Sequence, residues 1–169
     1  SNIPTDSIAL VLSEMYGLDQ GVRDSSLHQF KKKADVRAFL FSVDSINFQR
    51  AIEIIKKYGW IDGKVLGETY LHKESINASL LAIFLHNPRR LNGHLRQMLI
   101  SEVKKGRLSS STCMLILDKY YVVCEHRTIF NTAFKSWLKK PYVKQEDKWL
   151  SDSLMNELGL PLLPNYIIK

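Results

Sequence analysis

Apolar residues recur three and four positions apart along most of the chain, the spacing of helices that bury one face. Ile8, Leu12, Met15 and Tyr16 keep this spacing after a start signal at Pro4-Thr5-Asp6. The pattern predicts a first helix in residues 5–32, with glycines at 17 and 21. Asp19 and Arg23 stand four apart, so on a helix they face each other, as a surface ion pair worth about 0.3 kcal/mol. Asp44 reads as the cap of a second helix, whose stripe is Phe48, Ala51, Ile52 and Ile55 and whose stop is Tyr58-Gly59. Asn47, three past that cap, is expected to face solvent. Trp60-Ile61-Asp62-Gly63 reads as a turn whose Asp-Gly pair supplies a positive φ.

The stretch from Ile76 to Cys124 carries the strongest pattern. A run from Ser79 to Leu85 is almost wholly apolar and stops at His86-Asn87-Pro88. A second, from Cys113 to Leu117, leads into Asp118. Each run holds one ionisable residue, His86 or Asp118, where the pattern asks for a hydrophobe. The periodicity predicts a third helix over 66–85. A fourth follows, capped by Asn87, begun by Pro88 and ended by Gly106, with Leu91, Leu95, Leu99 and Val103 inward. Ser109-Ser110-Ser111-Thr112 starts a fifth helix over 111–124, although Tyr120-Tyr121-Val122-Val123 is rich enough in strand formers to compete for its end. Residues 125–144 are the least regular. A sixth helix over 146–158 carries Leu150, Leu154 and Leu158 and ends at Gly159. The tail, with Pro161 and Pro164, is expected to run extended against the bundle. Without period-two strands, repeats or linkers, the chain reads as all-α: one domain, residues 1–169, a bundle of about six helices with an extended C-terminal tail.

Composition narrows the classes. At 169 residues and 45% hydrophobic content the chain can bury a core without disulfides. Its apolar runs fall short of the ~20 residues a bilayer span needs. The opening Ser1-Asn2-Ile3-Pro4 lacks both an initiator Met and an apolar leader, which leaves the compartment open: soluble, cytoplasmic, or exported after removal of a leader. Cys113 and Cys124, eleven apart on one predicted helix, are about 16 Å apart by helical rise and read as fillers, not as a bridge. The net charge of +7 suggests nucleic acid. Yet Lys31-Lys32-Lys33, Lys56-Lys57, Lys104-Lys105 and Lys139-Lys140 each fall near a predicted helix end, where cations complement the helix dipole. With no zinc finger, RNP motif or helix-turn-helix spacing, nucleic acid is not the expected partner. His28, His72, His94 and His126 show no metal-ligand spacing, and no Gly-rich phosphate loop or nucleophile signature appears, so neither metal nor cofactor is expected.

Several of these positions occur in an order that resembles a bacterial family of helical proteins of unknown function. They are Asp19-Gln20 with Arg23, Asp44 with Asn47, Tyr58-Gly59, Gly67, His86, Gly106, Asp118, and Gly159-Leu160 through Tyr166. The resemblance covers nearly the whole chain and implies a helical fold, but no activity. As a member the chain is divergent. The family's Asp-Arg pair is Asp118-Lys119 here, which loses the planar fork of arginine. The Tyr-Gly-Thr-Gln region aligns best with Thr128-Ile129-Phe130-Asn131-Thr132-Ala133, without its glutamines and tyrosine.

The candidate polar cluster is therefore Asp19, Gln20, Arg23, Asp44, Asn47, His86 and Asp118. The leading reading is binding of a small ligand or a protein partner through this cluster; the alternatives are a hydrolase- or transferase-like enzyme using Asp19, Arg23, His86 and Asp118 for acid–base chemistry, and nucleic-acid binding through the basic surface. For His86 the plain alternative is that its ring bonds backbone groups freed at a helix end. Asp118, among apolar neighbours, needs a partner, and Arg23 is the expected one.

Overall fold

The structure, a computed structural model, describes residues 3–24 and 32–169. The expectations placed on Ser1, Asn2, His28 and Lys31 lie outside the described residues, as does the side chain of Tyr166. The fold is all-α, with eight α-helices and no strand among the described residues. It divides into two compact units, Ser1–Asn87 and Pro88–Lys169.

The first unit opens with α1, Thr5–Gly21, which runs unbroken through Gly17. Its buried face is Ile8, Leu12, Met15 and Asp19, so the apolar stripe ends on a carboxylate. Helix α2 spans Lys33–Tyr58, more than a turn longer at its start than the stripe predicted. Asp44 consequently lies inside the helix and caps nothing. Asn47 is buried, donating from Nδ2 to the carbonyl of Met15 at 2.9 Å, because it falls on the same stripe as Val43, Ala51 and Ile54. The helix ends as expected at Gly59, whose φ of 86° lies in the region glycine tolerates.

The long third helix read from the sequence is instead three short ones. They are α3 (Gly63–Leu66), α4 (Glu74–Asn77) and α5 (Ser79–His86), with a 3-10 turn at Glu68–Tyr70. Gly67, at φ 105°, breaks the run where apolar spacing alone would continue it. Asp62 caps α3 through the N–H groups of Lys64 and Val65. Gly63 does not supply a positive φ; it supplies room. A Cβ there would sit 2.3 Å from the Tyr70 carbonyl oxygen and 2.9 Å from Asn77 Oδ1, which already accepts the Gly63 N–H. Helix α1 packs on α2, α4 and α5, and Ser13–Ser75 and Tyr16–Glu74 hydrogen bonds join it to α4. Phe84 meets Phe48 edge-on and Trp60 at a tilt, with ring centroids 5.4 and 5.8 Å apart.

In the second unit, a 3-10 turn at Pro88–Arg90 replaces the expected helix start at Asn87-Pro88. Asn92 is the true cap of α6, Gly93–Lys104, accepting from the Leu95 N–H. Gly106, at φ 71°, ends this region as predicted. Ser109 caps α7, Ser110–Glu125, and the helix holds through Tyr120 to Val123. A buried face built from Cys113, Ile116, Leu117, Tyr121 and Val122 outweighs their strand preference. Residues 126–147 carry only 3-10 turns, at Ala133–Trp137 and Gln145–Asp147, before α8, Lys148–Glu157. The tail is extended until a 3-10 turn at Asn165–Ile167. It docks through a parallel bridge between Val143 and Ile168, and Lys169 donates to the Val143 carbonyl.

Two expectations follow. Gly63→Ala should lower stability by about 1–3 kcal/mol, since backbone atoms must shift. Gly17→Ala, inside α1 with open space at its Cβ, should raise it by about 0.5–1 kcal/mol. Urea melts of the two variants check both signs. Burial pushes the Cys113 thiol up to about 12, so at pH 8 it carries almost no thiolate. A thiol reagent should modify half-exposed Cys124 in the native protein and Cys113 only after unfolding, as read by peptide mass.

Candidate functional site

Five of the seven candidate residues meet in the first unit, around the carboxylate of Asp19. The last turn of α1 turns this side chain inward, and it is 1% exposed. A carboxylate so buried must be paired and hydrogen-bonded. Three side chains do this. Gln20 donates from Nε2 to Oδ2 at 2.9 Å. Arg23, one turn on, places Nη1 3.0 Å from Oδ1 and also donates to the Asp19 carbonyl at 2.8 Å. His86, the last residue of α5, brings Nδ1 to 3.0 and 2.9 Å from the two oxygens. Nη2 of Arg23 turns to Asp44 on α2, 2.7 Å from Oδ1. One guanidinium thus clamps two carboxylates on two helices. The pair read as a surface contact is half-buried and part of a network.

The geometry fixes the imidazole. An ionised carboxylate only accepts, so Nδ1 carries the hydrogen and the neutral ring has its lone pair on Nε2. No hydrogen bond to Nε2 is made among the described residues, and the His86 side chain is 32% exposed. The plain alternative for His86, bonding the freed helix end, is taken by its neighbour: Asn87 Nδ2 donates to the Ile83 carbonyl at 2.9 Å. Asn47 stays at one remove, held to the Met15 carbonyl, with its buried Oδ1 unpaired.

Asp118 has a different role. Its expected partner, Arg23, is replaced by donors from the second unit alone. Oδ1 accepts the N–H groups of Ile129 and Phe130 at 2.8 and 3.0 Å. Oδ2 accepts the N–H and hydroxyl of Thr132 at 3.1 and 2.6 Å, and the Thr128 hydroxyl reaches both oxygens. Asn131 turns into the left-handed region at φ 56°, which lets residues on either side of it point their N–H groups inward. None of these donors titrates near neutrality, and the carboxylate is fully buried. Asp118 staples residues 128–132 to α7.

No group of three or more His, Cys, Asp or Glu among the described residues is arranged to hold a metal ion. No helix among them is long and apolar enough to cross a membrane. No family model, curated protein or solved structure matches the chain.

Residues outside the candidate cluster line a cleft in the second unit, of about 470 Å³. Among them are Trp137, Lys139, Lys140 and Tyr142. The two lysines follow a 3-10 turn, so the helix-end reading does not apply to them. The readable signal was Trp137-Leu138-Lys139-Lys140-Pro141-Tyr142, aromatic and basic residues interleaved in an irregular stretch.

The staple gives a stability test. Asp118→Ala leaves several buried donors unsatisfied, each costing about 1–3 kcal/mol, so the loss should reach about 3–5 kcal/mol. Arg23→Ala should combine with it additively in urea melts, since the two residues share no partner.

Proposed function

We propose that the first unit carries an acid–base site of hydrolase or transferase type, with His86 as the proton-transferring group. The observation that supports this is the Asp19–His86 pair: a buried carboxylate orients an exposed imidazole and leaves Nε2 free. In this reading Nε2 takes a proton from a water or hydroxyl nucleophile and returns it to the leaving group. Asp19 holds the tautomer and stabilises the imidazolium that forms. Arg23, committed on both sides, and Gln20 are positioning residues that keep the Asp19 carboxylate in place. Asp44 anchors Arg23 from α2.

Asp19, Gln20, Arg23, Asp44 and His86 are also positions through which the chain resembles the bacterial helical family. Their convergence supports reading that pattern as one site, and the resemblance as a family relationship with this site at its centre. A second reading, in which the cluster binds a small ligand or protein partner without turning it over, draws on the same exposed imidazole. The tautomer favours the enzyme: pure recognition does not call for a buried carboxylate behind the ring.

The experiment is a turnover screen over ester, amide and phosphoester substrates with the wild type, His86→Gln and Asp19→Asn. General acid–base catalysis contributes about 10²–10⁴-fold. His86→Gln should therefore lower kcat by about that factor on any substrate found, and Asp19→Asn should do so with substrate affinity little changed. Long-range nitrogen–proton NMR should show Nε2 as the unprotonated ring nitrogen. A protonated Nε2 in the neutral ring, or turnover that survives His86→Gln, refutes the enzyme.

A further inference from the structure

The cleft in the second unit brings cationic and aromatic side chains together. Trp137 is 60% exposed although it is among the largest apolar side chains. Its ring is held edge-to-face against Phe134, with centroids 5.4 Å apart, and the Lys119 ammonium sits 3.7 Å from its centre. An exposed indole fixed in this way is a ready stacking surface. Tyr142 adds a second aromatic to the lining.

The charges in the cleft are not equivalent. Arg127 is spent: its guanidinium binds Glu125 at 2.9 and 2.5 Å and also binds Asp147. Lys144 is paired only with the exposed Glu146, at 3.0 Å, a contact of the kind worth about 0–1 kcal/mol and easily exchanged. Lys139 and Lys140 are exposed and make no ion pair among the described residues. A second depression of about 230 Å³ shares Lys140, Tyr142 and Lys144 with the cleft and is also lined by Gln145, the Glu146 carboxylate and Lys169. The volume lies within the roughly 300–1,000 Å³ of small-molecule sites.

We infer that this cleft binds a nucleotide, its base stacked on Trp137 and its phosphates held by Lys139, Lys140 and Lys144. Base–aromatic stacking and ammonium–phosphate attraction are the two terms the lining supplies, and a nucleotide is the ligand class that uses both. A free phosphate would leave the indole unused, and a neutral aromatic would leave three lysines unused. The site lies apart from the acid–base cluster in sequence and in its unit, and does not depend on that reading.

Calorimetric titration of the whole chain at 150 mM NaCl tests this, with ATP, adenosine and tripolyphosphate as separate ligands. ATP should bind more tightly than either fragment by tenfold or more. Trp137→Ala and the double variant Lys139→Ala/Lys140→Ala should each weaken ATP by about tenfold, and Trp137→Phe, which keeps a ring, should restore most of the loss to Trp137→Ala. All three substituted positions are exposed, and matching thermal melts establish that the variants are folded. Tripolyphosphate binding as well as ATP, with no effect of Trp137→Ala, overturns the proposal in favour of bare charge attraction. A thymidine 20-mer binding much more tightly than ATP, with affinity falling steeply as salt rises, overturns it in favour of single-stranded nucleic acid. Absence of ATP binding at millimolar concentration also overturns it.

Discussion

The cost of burying a carboxylate shapes both units of this protein. An ionised group removed from water must recover its lost hydration from fixed donors, or it is not tolerated. Asp19 in the first unit and Asp118 in the second are buried in this way, and the two recover hydration in opposite ways. Asp118 takes backbone N–H groups and threonine hydroxyls, neutral donors that hold a segment of chain in place. Asp19 takes a histidine, an arginine and an amide, which reach outward to Asp44 and to solvent. The first arrangement has nothing left to offer a substrate. The second presents one nitrogen.

What the sequence displayed clearly was set by local rules. The all-α class followed from stripes at helical spacing, and the stops at Gly59, Gly106 and Gly159 followed from glycine's tolerance of positive φ. Where a local signal competed with a distant partner, the sequence misled. Asp44 looks like a cap, but it lies inside α2, where its carboxylate meets Arg23. The predicted helix over 66–85 had the right stripe, but Gly67 takes a φ that no helix contains. Gly63 looked like a turn residue because the carbonyl that excludes its Cβ is seven residues away.

The candidate site was legible in its members but not in its grouping. Asp19 and Arg23 stood out by their i,i+4 spacing, although they were read as a surface pair, and His86 closes an apolar run. That they meet depends on how α1 packs against α5, which no spacing records. Asp118 was correctly marked as a buried carboxylate in need of partners, yet searching for a cation missed them. Main-chain N–H groups satisfy a charge without leaving any residue type behind as a trace. The cleft lysines were passed over for a related reason. Charge pairs are informative only once the element beneath them is known, and residues 125–144 offered no periodicity to show it.

The Asp118 staple also has a kinetic face. Its donors lie ten to fourteen residues downstream, so closing this loop takes little chain entropy and needs no contact from the first unit. Residues 128–132 belong to no helix or strand, a setting in which amide hydrogens ordinarily exchange with solvent freely. Here the amides of Ile129, Phe130 and Thr132 point into a buried carboxylate at the middle of α7. Their exchange therefore requires these bonds to the α7 carboxylate to open, which protects a coil segment as a helix or strand is protected by its own ladder.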